Sequence, residues 1–383
     1  MNAVAARPPR SGGADDTKQY RTHFRRGPFA IHQILAGATP GDAITTAALE
    51  YRDVLRRVGP SEVFARHIAP GAAGEVKPLS ECGADGSSGL LVYHASIGEP
   101  AVSAFLLSRT EPIVLVYHNI TPAKYFEALD PRFAELLMLG RVELEQLRPR
   151  VVMPIAASRF NAAELEAIGY RDVRVIPPVV NPYRLAHTLP DAGTLSYLDR
   201  EFHEPFLLFV GQLLPHKRPD LLVKSMHVAS TYLGVRARLL LVGQTRFAPY
   251  ADAIAAQVRE LNLDQVHIVG PISDERLAAM FRRATAFVTV SEHEGFCVPL
   301  LEALALDVPV VARACAAIPE TLGGAGLLLP ERVGPELVAE AIARIVRDGA
   351  LRADLVQRGR CRLEEITRMD ASVEMLHAIA EVV

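Results

Sequence analysis

The second half of the chain constrains the fold most, because short apolar, β-branched runs alternate with helical stretches from residue 205 onward. Such alternation is typical of a parallel sheet wrapped by helices. The predicted strands cover 206–210, 239–242, 266–269, 286–290 and 308–311. Between them, apolar residues recur every three or four positions and predict helices over 218–233, 249–261, 274–283 and 297–306. Several strands end in glycine or serine, at the turns where a doubly wound sheet binds its ligands.

The first half shows the same pattern less regularly. Its predicted strands cover 29–35, 90–93, 113–117 and 151–156, and its predicted helices cover 43–58, 98–107, 131–148 and 161–168. A length of 383 residues suits two domains. The sequence therefore predicts an α/β fold of two Rossmann-like, doubly wound domains that face each other across a cleft.

The domain boundaries are predicted from this division. Residues 1–27 are small, polar and basic and predict a flexible tail, for which an arm touching anionic lipid headgroups is the alternative. The first domain is expected over 28–183 and the second over 205–365. The stretch between them, 184–204, is the predicted linker, since five prolines lie between positions 177 and 205. A helix over 366–383 is expected to cross back onto the first domain.

Composition disfavours several classes of protein. A net charge of -3 argues against a nucleic-acid binder, which needs a strongly basic face. The four cysteines lie far apart, which argues against a zinc knuckle or a disulfide framework and suits a reducing cytoplasm. No segment approaches the roughly 18 consecutive apolar residues of a membrane span. We expect a cytoplasmic protein, with peripheral contact at the inner face of the membrane if its acceptor is lipid-linked.

The stretch most informative about chemistry covers residues 291–303 and reads SEHEGFCVPLLEA. Glu294 lies in a predicted turn and Glu302 more than one turn inside the following helix. A helix rises about 1.5 Å per residue, so the two carboxylates can reach opposite ends of one elongated ligand. Gly295 permits close backbone approach, and carboxylates suit sugar and ribose hydroxyls because a vicinal diol donates two hydrogen bonds to one ionised group. An ordinary surface pair is the alternative, which the apolar neighbours of Glu302 disfavour.

This stretch resembles the E-x7-E region of glycosyltransferase family 4, the retaining group 1 glycosyltransferases of GT-B fold. The resemblance extends over most of the second half, through Phe209-Val210-Gly211, Pro215-His216-Lys217, Val269-Gly270-Pro271-Ile272-Ser273, Glu294 to Glu302, Pro309-Val310-Val311-Ala312 and Ile318-Pro319-Glu320. The first half agrees more loosely, through Gly41-Asp42-Ala43-Ile44 and Tyr117-His118-Asn119.

The resemblance implies that the second domain binds a nucleotide-diphosphate sugar, with GDP-mannose or a UDP-sugar as the leading candidates. Lys217 would neutralise the diphosphate, Glu302 would hold the ribose hydroxyls and Glu294 those of the donor sugar. His118 would project toward the reacting sugar, which makes His118 and Glu294 the candidate catalytic residues. The candidate donor-binding residues are Gly41, Asp42, Gly211, Lys217, Arg218, Pro271, Glu294, Gly295, Phe296, Cys297 and Glu302. The acceptor would be a carbohydrate, a lipid-linked glycan or a small molecule, as in polysaccharide biosynthesis.

Three positions depart from the family pattern. Gln212 stands where an arginine often accompanies the lysine, so Arg218 would have to complete the phosphate clamp. Cys297 and Asp307 stand where glycine is frequent, and Cys297 is interpreted as a buried small hydrophobe, not a nucleophile.

The expected mechanism uses neither a metal ion nor a separate cofactor, since the chain contains no D-x-D motif. Charge on the leaving diphosphate would be stabilised by cationic side chains and helix N-termini. By resemblance, the acceptor would attack the same face through an oxocarbenium-like state, and the leaving phosphate oxygen would take the acceptor's proton. Glu294 and His118 would position and polarise the donor sugar; they would not act as the acid and base of a hydrolase.

Two other functions stay open at this point. A nucleotide-sugar epimerase of the same architecture would bind the donor without an acceptor pocket, so transfer to an added acceptor separates the two. A non-catalytic GT-B binding subunit would keep the fold without turnover. A Rossmann dehydrogenase is disfavoured because no G-x-G-x-x-G follows a first strand. Among the strand-end histidines, His32 and His94 are interpreted as structural and His118 as functional, because His118 lies at a turn that should face the cleft.

Overall fold

Two parallel sheets form the protein, whose computed structural model describes residues 29–83 and 88–382. The first sheet contains β1 (Phe29–Ala38), β2 (Val63–Ile68), β3 (Lys77–Pro78), β4 (Ser88–Ala95), β5 (Ile113–Tyr117), β6 (Val151–Ala156) and β7 (Arg174–Val175), in the order β3-β2-β1-β4-β5-β6-β7. The second contains β8 (Phe206–Val210), β9 (Arg238–Val242), β10 (Val266–Gly270), β11 (Ala286–Thr289), β12 (Val310–Arg313) and β13 (Leu327–Leu329), in the order β10-β9-β8-β11-β12-β13. The tail predicted over 1–27 lies outside the described residues.

Helices connect the strands in both halves. In the first half they are α1 (Ala43–Leu55), α2 (Pro100–Ser108), α3 (Pro131–Leu147) and α4 (Arg159–Ala167). The others are α5 (Arg184–His187), α6 (Ala192–Glu201), α7 (Pro219–Thr231), α8 (Ala248–Glu260), α9 (Asp274–Arg283), α10 (Val298–Ala305), α11 (Ile318–Leu322), α12 (Pro335–Arg347), α13 (Gly349–Arg368) and α14 (Ala371–Ala380). No helix within 29–83 or 88–382 combines the length and apolar content needed to cross a bilayer.

Both faces of the second sheet are buried, which explains its continuous apolar strands. Leu207 and Phe209 of β8 pack in one core, whereas Leu208 between them packs in the core on the opposite face. A parallel sheet covered by helices on both faces needs such strands. The predicted α/β fold of two doubly wound units is confirmed.

The segment predicted as a linker differs from the prediction. It contains α5 and α6, and Leu185 and Leu198 are fully buried in the core of the second sheet. Asp191 caps α6 by accepting a hydrogen bond from the Thr194 amide at 2.7 Å. The prolines thus flank short helices here, and the segment packs as part of the second half. The domain limits at 183 and 365 stay predictions.

Other differences are local. The prediction omitted β2, in which Arg66 and His67 are polar and exposed, and the short strands β3, β7 and β13. It also omitted the helices α11, α12 and α13. The strand predicted over 308–311 begins two residues later as β12, because Pro309 has no N–H to donate to the ladder.

The chain returns to the first half at its C-terminal helix, as predicted. Met375, Leu376 and Ile379 of α14 are buried in one core with Ile31 and Tyr51 of the first half. Because both sheets are parallel, the carboxyl ends of the strands in each sheet lie along one edge. The turns that follow β5, β8 and β11 carry the side chains of the candidate site.

Candidate active site

An ion pair between the partly buried Lys217 and the buried Glu294 forms the centre of the site. Lys217 Nζ donates to both carboxylate oxygens of Glu294, at 2.6 and 2.7 Å. Lys217 follows β8 in a short 3-10 turn, and Glu294 follows β11, which pairs directly with β8. Burial opposes the charge on Lys217, but the Glu294 carboxylate outweighs it and the pKa of Lys217 is raised. Lys217 is therefore a fixed cation at the carboxyl edge of the sheet.

Backbone hydrogen bonds hold the two turns together. The Glu292 amide donates to the His216 carbonyl at 2.7 Å. Beneath them, the turn after β9 touches the turn after β8, since a Cβ on Gly243 would lie 2.0 Å from the carbonyl oxygen of Gly211. Gly211 thus contributes close packing under the Lys217 turn.

The turn after Glu294 approaches the first half closely. A Cβ on Gly295 would lie 2.5 Å from the His118 carbonyl oxygen and 2.8 Å from the Asn119 Cβ. Only glycine fits between the two halves at this position. Cys297, two residues further on, has a left-handed backbone with φ 72°. Burial raises the pKa of Cys297 well above its usual range, so the side chain stays a thiol. Cys297 is partly buried against the core of the second sheet.

His118 begins a chain of hydrogen bonds through the first sheet. Its Nε2 lies 2.8 Å from His94 Nδ1, and His94 Nε2 lies 2.9 Å from Gln33 Oε1. Gln33 Nε2 then donates to the Ala48 carbonyl at 2.9 Å. Burial lowers the pKa of His118 to about 4 and that of His94 well below its usual range. Both imidazoles are therefore neutral at pH 7.

The residue after His118 connects the two halves. His293 Nε2 lies 2.5 Å from Asn119 Oδ1, and Asn119 Nδ2 donates to Glu164 Oε2 at 2.7 Å. A second connection joins the Arg159 amide, at the start of α4, to both Glu320 oxygens at 3.1 and 2.8 Å. The His118 turn is thus held against the Glu294 turn by polar contacts on both sides.

An aromatic cluster adds an apolar contact between the halves. Phe126 and Phe133 of the first half lie 5.6 and 5.8 Å, between ring centroids, from Phe247 of the second. The Arg246 guanidinium lies 4.1 Å from the Phe133 ring centroid, which is a cation–π distance.

Glu302 is buried in α10 and already has a cationic partner. Arg184 of α5 donates to Glu302 Oε1 at 2.8 Å and also pairs with Asp274 at the start of α9. Burial raises the pKa of Glu302, and Arg184 opposes that shift. Arg184 is therefore paired with the same carboxylate that the resemblance assigns to ribose binding.

Arg218 does not lie beside Lys217 as a second cation of the phosphate clamp. Its backbone is left-handed at φ 54°, and its guanidinium pairs with Asp220 at 2.9 Å and with Glu292. Arg313 donates to the same Glu292 at 3.0 Å. The Arg218 guanidinium thus belongs to a network of ion pairs with Asp220 and Glu292, and the sequence pattern does not reveal this network.

The other predicted donor-binding residues have varied positions. The Asp42 carboxylate caps α1 by accepting from the Ile44 and Thr45 amides at 3.1 and 3.0 Å, so it is occupied by its own helix. Gly41 before it is exposed, with a φ of 76° and open space where a Cβ would be. Pro271 is exposed after β10. The Phe296 carbonyl accepts from Thr321 at 2.7 Å. Their roles in donor binding stay predictions.

Sequence reasoning missed the partners of the site residues. Arg184 bonds the predicted Glu302, and His293 bonds Asn119, the neighbour of His118. Gln33 bonds His94, which was interpreted as structural alone. For His94 the available signal was its position at the end of β4, which pairs with β5 before His118. Within 29–83 and 88–382, no group of three His, Cys, Asp or Glu side chains could hold a metal ion. Independence from metal stays a prediction.

The buried neutral histidines predict a loss of stability at mildly acid pH. His94, His118 and His216 have pKa values lowered by burial, whereas an unfolded histidine titrates near 6.5. Below pH 6.5 the unfolded state binds more protons, so the free energy of unfolding should fall as the pH drops toward 4, by about 1.4 kcal/mol per pH unit for each histidine. The stability that the neutral histidines contribute should be fully present above pH 6.5.

Urea unfolding at pH 7.5, 6.0 and 5.0 measures this dependence. His94→Gln should make it shallower, because one titrating group is removed. A free energy of unfolding that is constant from pH 7.5 to 5.0 would contradict the prediction.

Comparison with known proteins shows which sequences and folds this chain resembles. The family model for glycosyl transferases group 1 matches residues 199–362. The D-inositol 3-phosphate glycosyltransferase of Kineococcus radiotolerans is 29% identical over 243 residues, which is 59% of this chain. The match spans 56% of that relative, so the chain spans about half the length of this curated relative.

Two solved structures share the fold. Sucrose-phosphate synthase from Thermosynechococcus elongatus has a TM-score of 0.70 at 22% identity, over 91% of this chain and 97% of that one. Anabaena HepE in complex with UDP-glucose has a TM-score of 0.68 at 18% identity, over 92% and 98%. The chain therefore has the GT-B fold. Residues 199–362, which include Lys217, Glu294 and Glu302, match the family model for glycosyl transferases group 1.

Proposed function

We propose that this protein is a retaining glycosyltransferase that moves a hexose from a nucleotide-diphosphate sugar to an acceptor hydroxyl. The observation that carries the proposal is the Lys217–Glu294 pair, which lies largely buried at the carboxyl edge of the second sheet, beside the His118 turn of the first. A cation suits a diphosphate and a carboxylate suits sugar hydroxyls. Without ligand the two charges neutralise each other, as buried charges require.

In the proposed reaction, Lys217 stabilises the negative charge that develops on the leaving diphosphate. The bond between the anomeric carbon and the diphosphate oxygen breaks, and its electron pair stays with the diphosphate. The acceptor oxygen bonds to the same face of the anomeric carbon, and its proton passes to a diphosphate oxygen. Glu294 accepts hydrogen bonds from the donor sugar, and the amides of Gly295, Phe296 and Cys297 face the phosphates or the sugar ring.

The nature of the donor is supported by relatives and by the fold. Relatives named as D-inositol 3-phosphate glycosyltransferases match the chain, and HepE has the same fold in a complex with UDP-glucose. We propose a UDP-sugar or GDP-mannose as donor, with no metal ion required. The acceptor is a glycan, a glycolipid or a small molecule.

A thermal-shift panel of nucleotide diphosphates and their sugars, in EDTA, tests this proposal first. A ligand at about 100 times its dissociation constant should stabilise the fold by roughly 2.7 kcal/mol and raise the melting temperature. The stabilising sugar nucleotide is then incubated with candidate acceptors. A glycosylated product supports transfer, whereas an epimerised sugar without transfer would favour an epimerase. No shift with any sugar nucleotide would contradict the proposal.

Glu302→Ala should weaken donor binding by about ten- to a hundredfold, because hydrogen bonds from the ribose to an ionised group are lost. Calorimetric titration with the stabilising sugar nucleotide measures the effect. Asp274→Asn is the matched control, since it removes the other carboxylate partner of Arg184 and leaves Glu302 in place. Equal donor affinity in Glu302→Ala and the unmodified protein would overturn the ribose assignment.

His118→Ala should lower kcat about tenfold and change donor affinity little, because one neutral hydrogen bond to the reacting sugar is lost in the transition state. Steady-state kinetics with the identified donor and acceptor separate the two effects. A raised donor dissociation constant with normal kcat would place His118 in binding alone.

A further inference from the structure

In the chain of hydrogen bonds from Ala48 through Gln33 and His94 to His118, the donor and the acceptor of each bond can be assigned from the atom types. The Ala48 carbonyl only accepts, so the Gln33 atom that faces it must be the amide nitrogen. Gln33 Oε1 then faces His94 and only accepts, so His94 Nε2 carries a proton. Gln33 and His94 are 0% and 1% exposed, so water does not compete for these bonds.

The same logic fixes the state of His118. A neutral His94 that is protonated on Nε2 has a bare Nδ1, which accepts a hydrogen bond. That nitrogen lies 2.8 Å from His118 Nε2, so His118 Nε2 is the donor. The two ring planes differ by only 13°, which aligns the N–H with the facing lone pair. In a neutral His118, the proton is on Nε2 and Nδ1 is bare.

The bare nitrogen of His118 is available to a ligand. No described residue hydrogen-bonds to His118 Nδ1, and this atom is not among the buried side-chain atoms that lack a partner. This atom is therefore not fully enclosed by the protein, and the backbone carbonyl of His118 lies against Gly295, next to Glu294. A bare imidazole nitrogen accepts hydrogen bonds and cannot donate one.

We propose that Gln33 and His94 are positioning residues, which keep the proton of His118 on Nε2 and leave Nδ1 as an unpaired acceptor for a hydroxyl of the sugar substrate. The inference rests on the proposed function for the identity of that substrate. It deepens that function by stating what the substrate must present to His118, namely a hydrogen-bond donor. Gln33 and His94 act only through His118.

The tautomer is measured first, without any substrate. Protein labelled with 15N in histidine is examined at pH 7.5 by long-range 1H–15N correlation, and the His118 signals are assigned from their loss in His118→Gln. We expect Nε2 of His118 to be protonated and Nδ1 to be bare. Protonation on Nδ1 would overturn the inference. The measurement is made on the unmodified protein, so it does not depend on the folding of a variant of Gln33 or His94, which together with His118 form the relay.

The relay is then broken with Gln33→Met, which is similar in size and removes the acceptor for His94 Nε2. The His118 signals should shift toward a mixture of tautomers. With the identified donor and acceptor, kcat should fall several-fold, within the tenfold limit of the His118→Ala loss, and donor affinity should be unchanged. An unchanged His118 tautomer in Gln33→Met would overturn the role of the relay.

His32→Gln is the matched control. His32 lies on the same strand, is 8% exposed, and accepts a hydrogen bond from the Glu62 amide at 3.3 Å. This variant should change the stability of the sheet but neither the His118 tautomer nor kcat. A similar tautomer change in His32→Gln would show a general effect of disturbing β1 and would overturn the specific relay.

The two hypotheses fail separately. If the unmodified protein binds no sugar nucleotide and transfers no sugar, the proposed function fails while the tautomer measurement still decides the relay. If transfer occurs but the tautomer and kcat are unaffected in a folded Gln33→Met protein, the relay fails and the proposed function stands.

Discussion

Lys217→Ala should reduce sugar transfer by about a thousandfold. Removing one preorganised group that stabilises developing negative charge lowers kcat by about 10² to 10³ in other enzymes. Here the group is a full positive charge, partly buried at the site and aligned by two hydrogen bonds to Glu294. Initial rates with saturating donor and acceptor measure the loss.

The same substitution should destabilise the fold, because it leaves the Glu294 carboxylate buried without its cation. Breaking a buried pair by removing one partner costs about 3 to 5 kcal/mol. Lys217→Met combined with Glu294→Gln removes both charges, so stability should recover while transfer stays absent. This separates loss of chemistry from loss of folded protein.

Lys224→Ala is the matched control for Lys217. Lys224 is half exposed and pairs with Asp220 at 3.6 Å, so its removal changes the net charge equally without touching the site. Its transfer rate should be close to that of the unmodified protein. A folded Lys217→Ala protein that keeps transfer within tenfold of normal would remove Lys217 from the proposed mechanism.

Gly295→Ala should reduce kcat by at least about a hundredfold. The added Cβ would lie 2.5 Å from the His118 carbonyl oxygen, so the two halves must move apart. A misplacement of about 1 Å at a reacting centre can cost about 10²-fold in rate. Donor affinity should fall less than kcat, because Lys217 and Glu302 lie in the same half as Gly295.

Kinetics and small-angle scattering together test this separation of the halves. The radius of gyration of Gly295→Ala should increase and its kcat should fall. Gly74→Ala should change neither the radius of gyration nor kcat. Gly74 is the matched control because a Cβ there meets no atom within 4 Å. Normal kcat and an unchanged radius of gyration in Gly295→Ala would contradict the close contact.

The elements between residues 206 and 313 could be predicted from the sequence because their signals are local. Strand 206–210 and helix 274–283 have the predicted bounds, and Glu294 lies in the turn between a strand and a helix as its neighbours indicated. Local periodicity and turn residues are sufficient for such features.

The partners of the site residues could not be predicted, because they depend on which strands become neighbours. Asn119 and His293 are 174 positions apart, and Arg184 and Glu302 are 118 apart. Gln33 and His94 meet only because β1 and β4 pair in register. Arg218 illustrates another limit, since its guanidinium is already paired with the carboxylates of Asp220 and Glu292.

The return of α14 to the first half has a consequence for how the protein is made. The core around Ile31 and Tyr51 is completed by Met375, Leu376 and Ile379, which leave the ribosome after the whole second half. The two cores of the second sheet, by contrast, draw only on residues 185 to 366. The half that is synthesised first is therefore the half that finishes folding last. A fragment ending at residue 183 should expose an apolar face and aggregate, as incompletely folded domains do during synthesis.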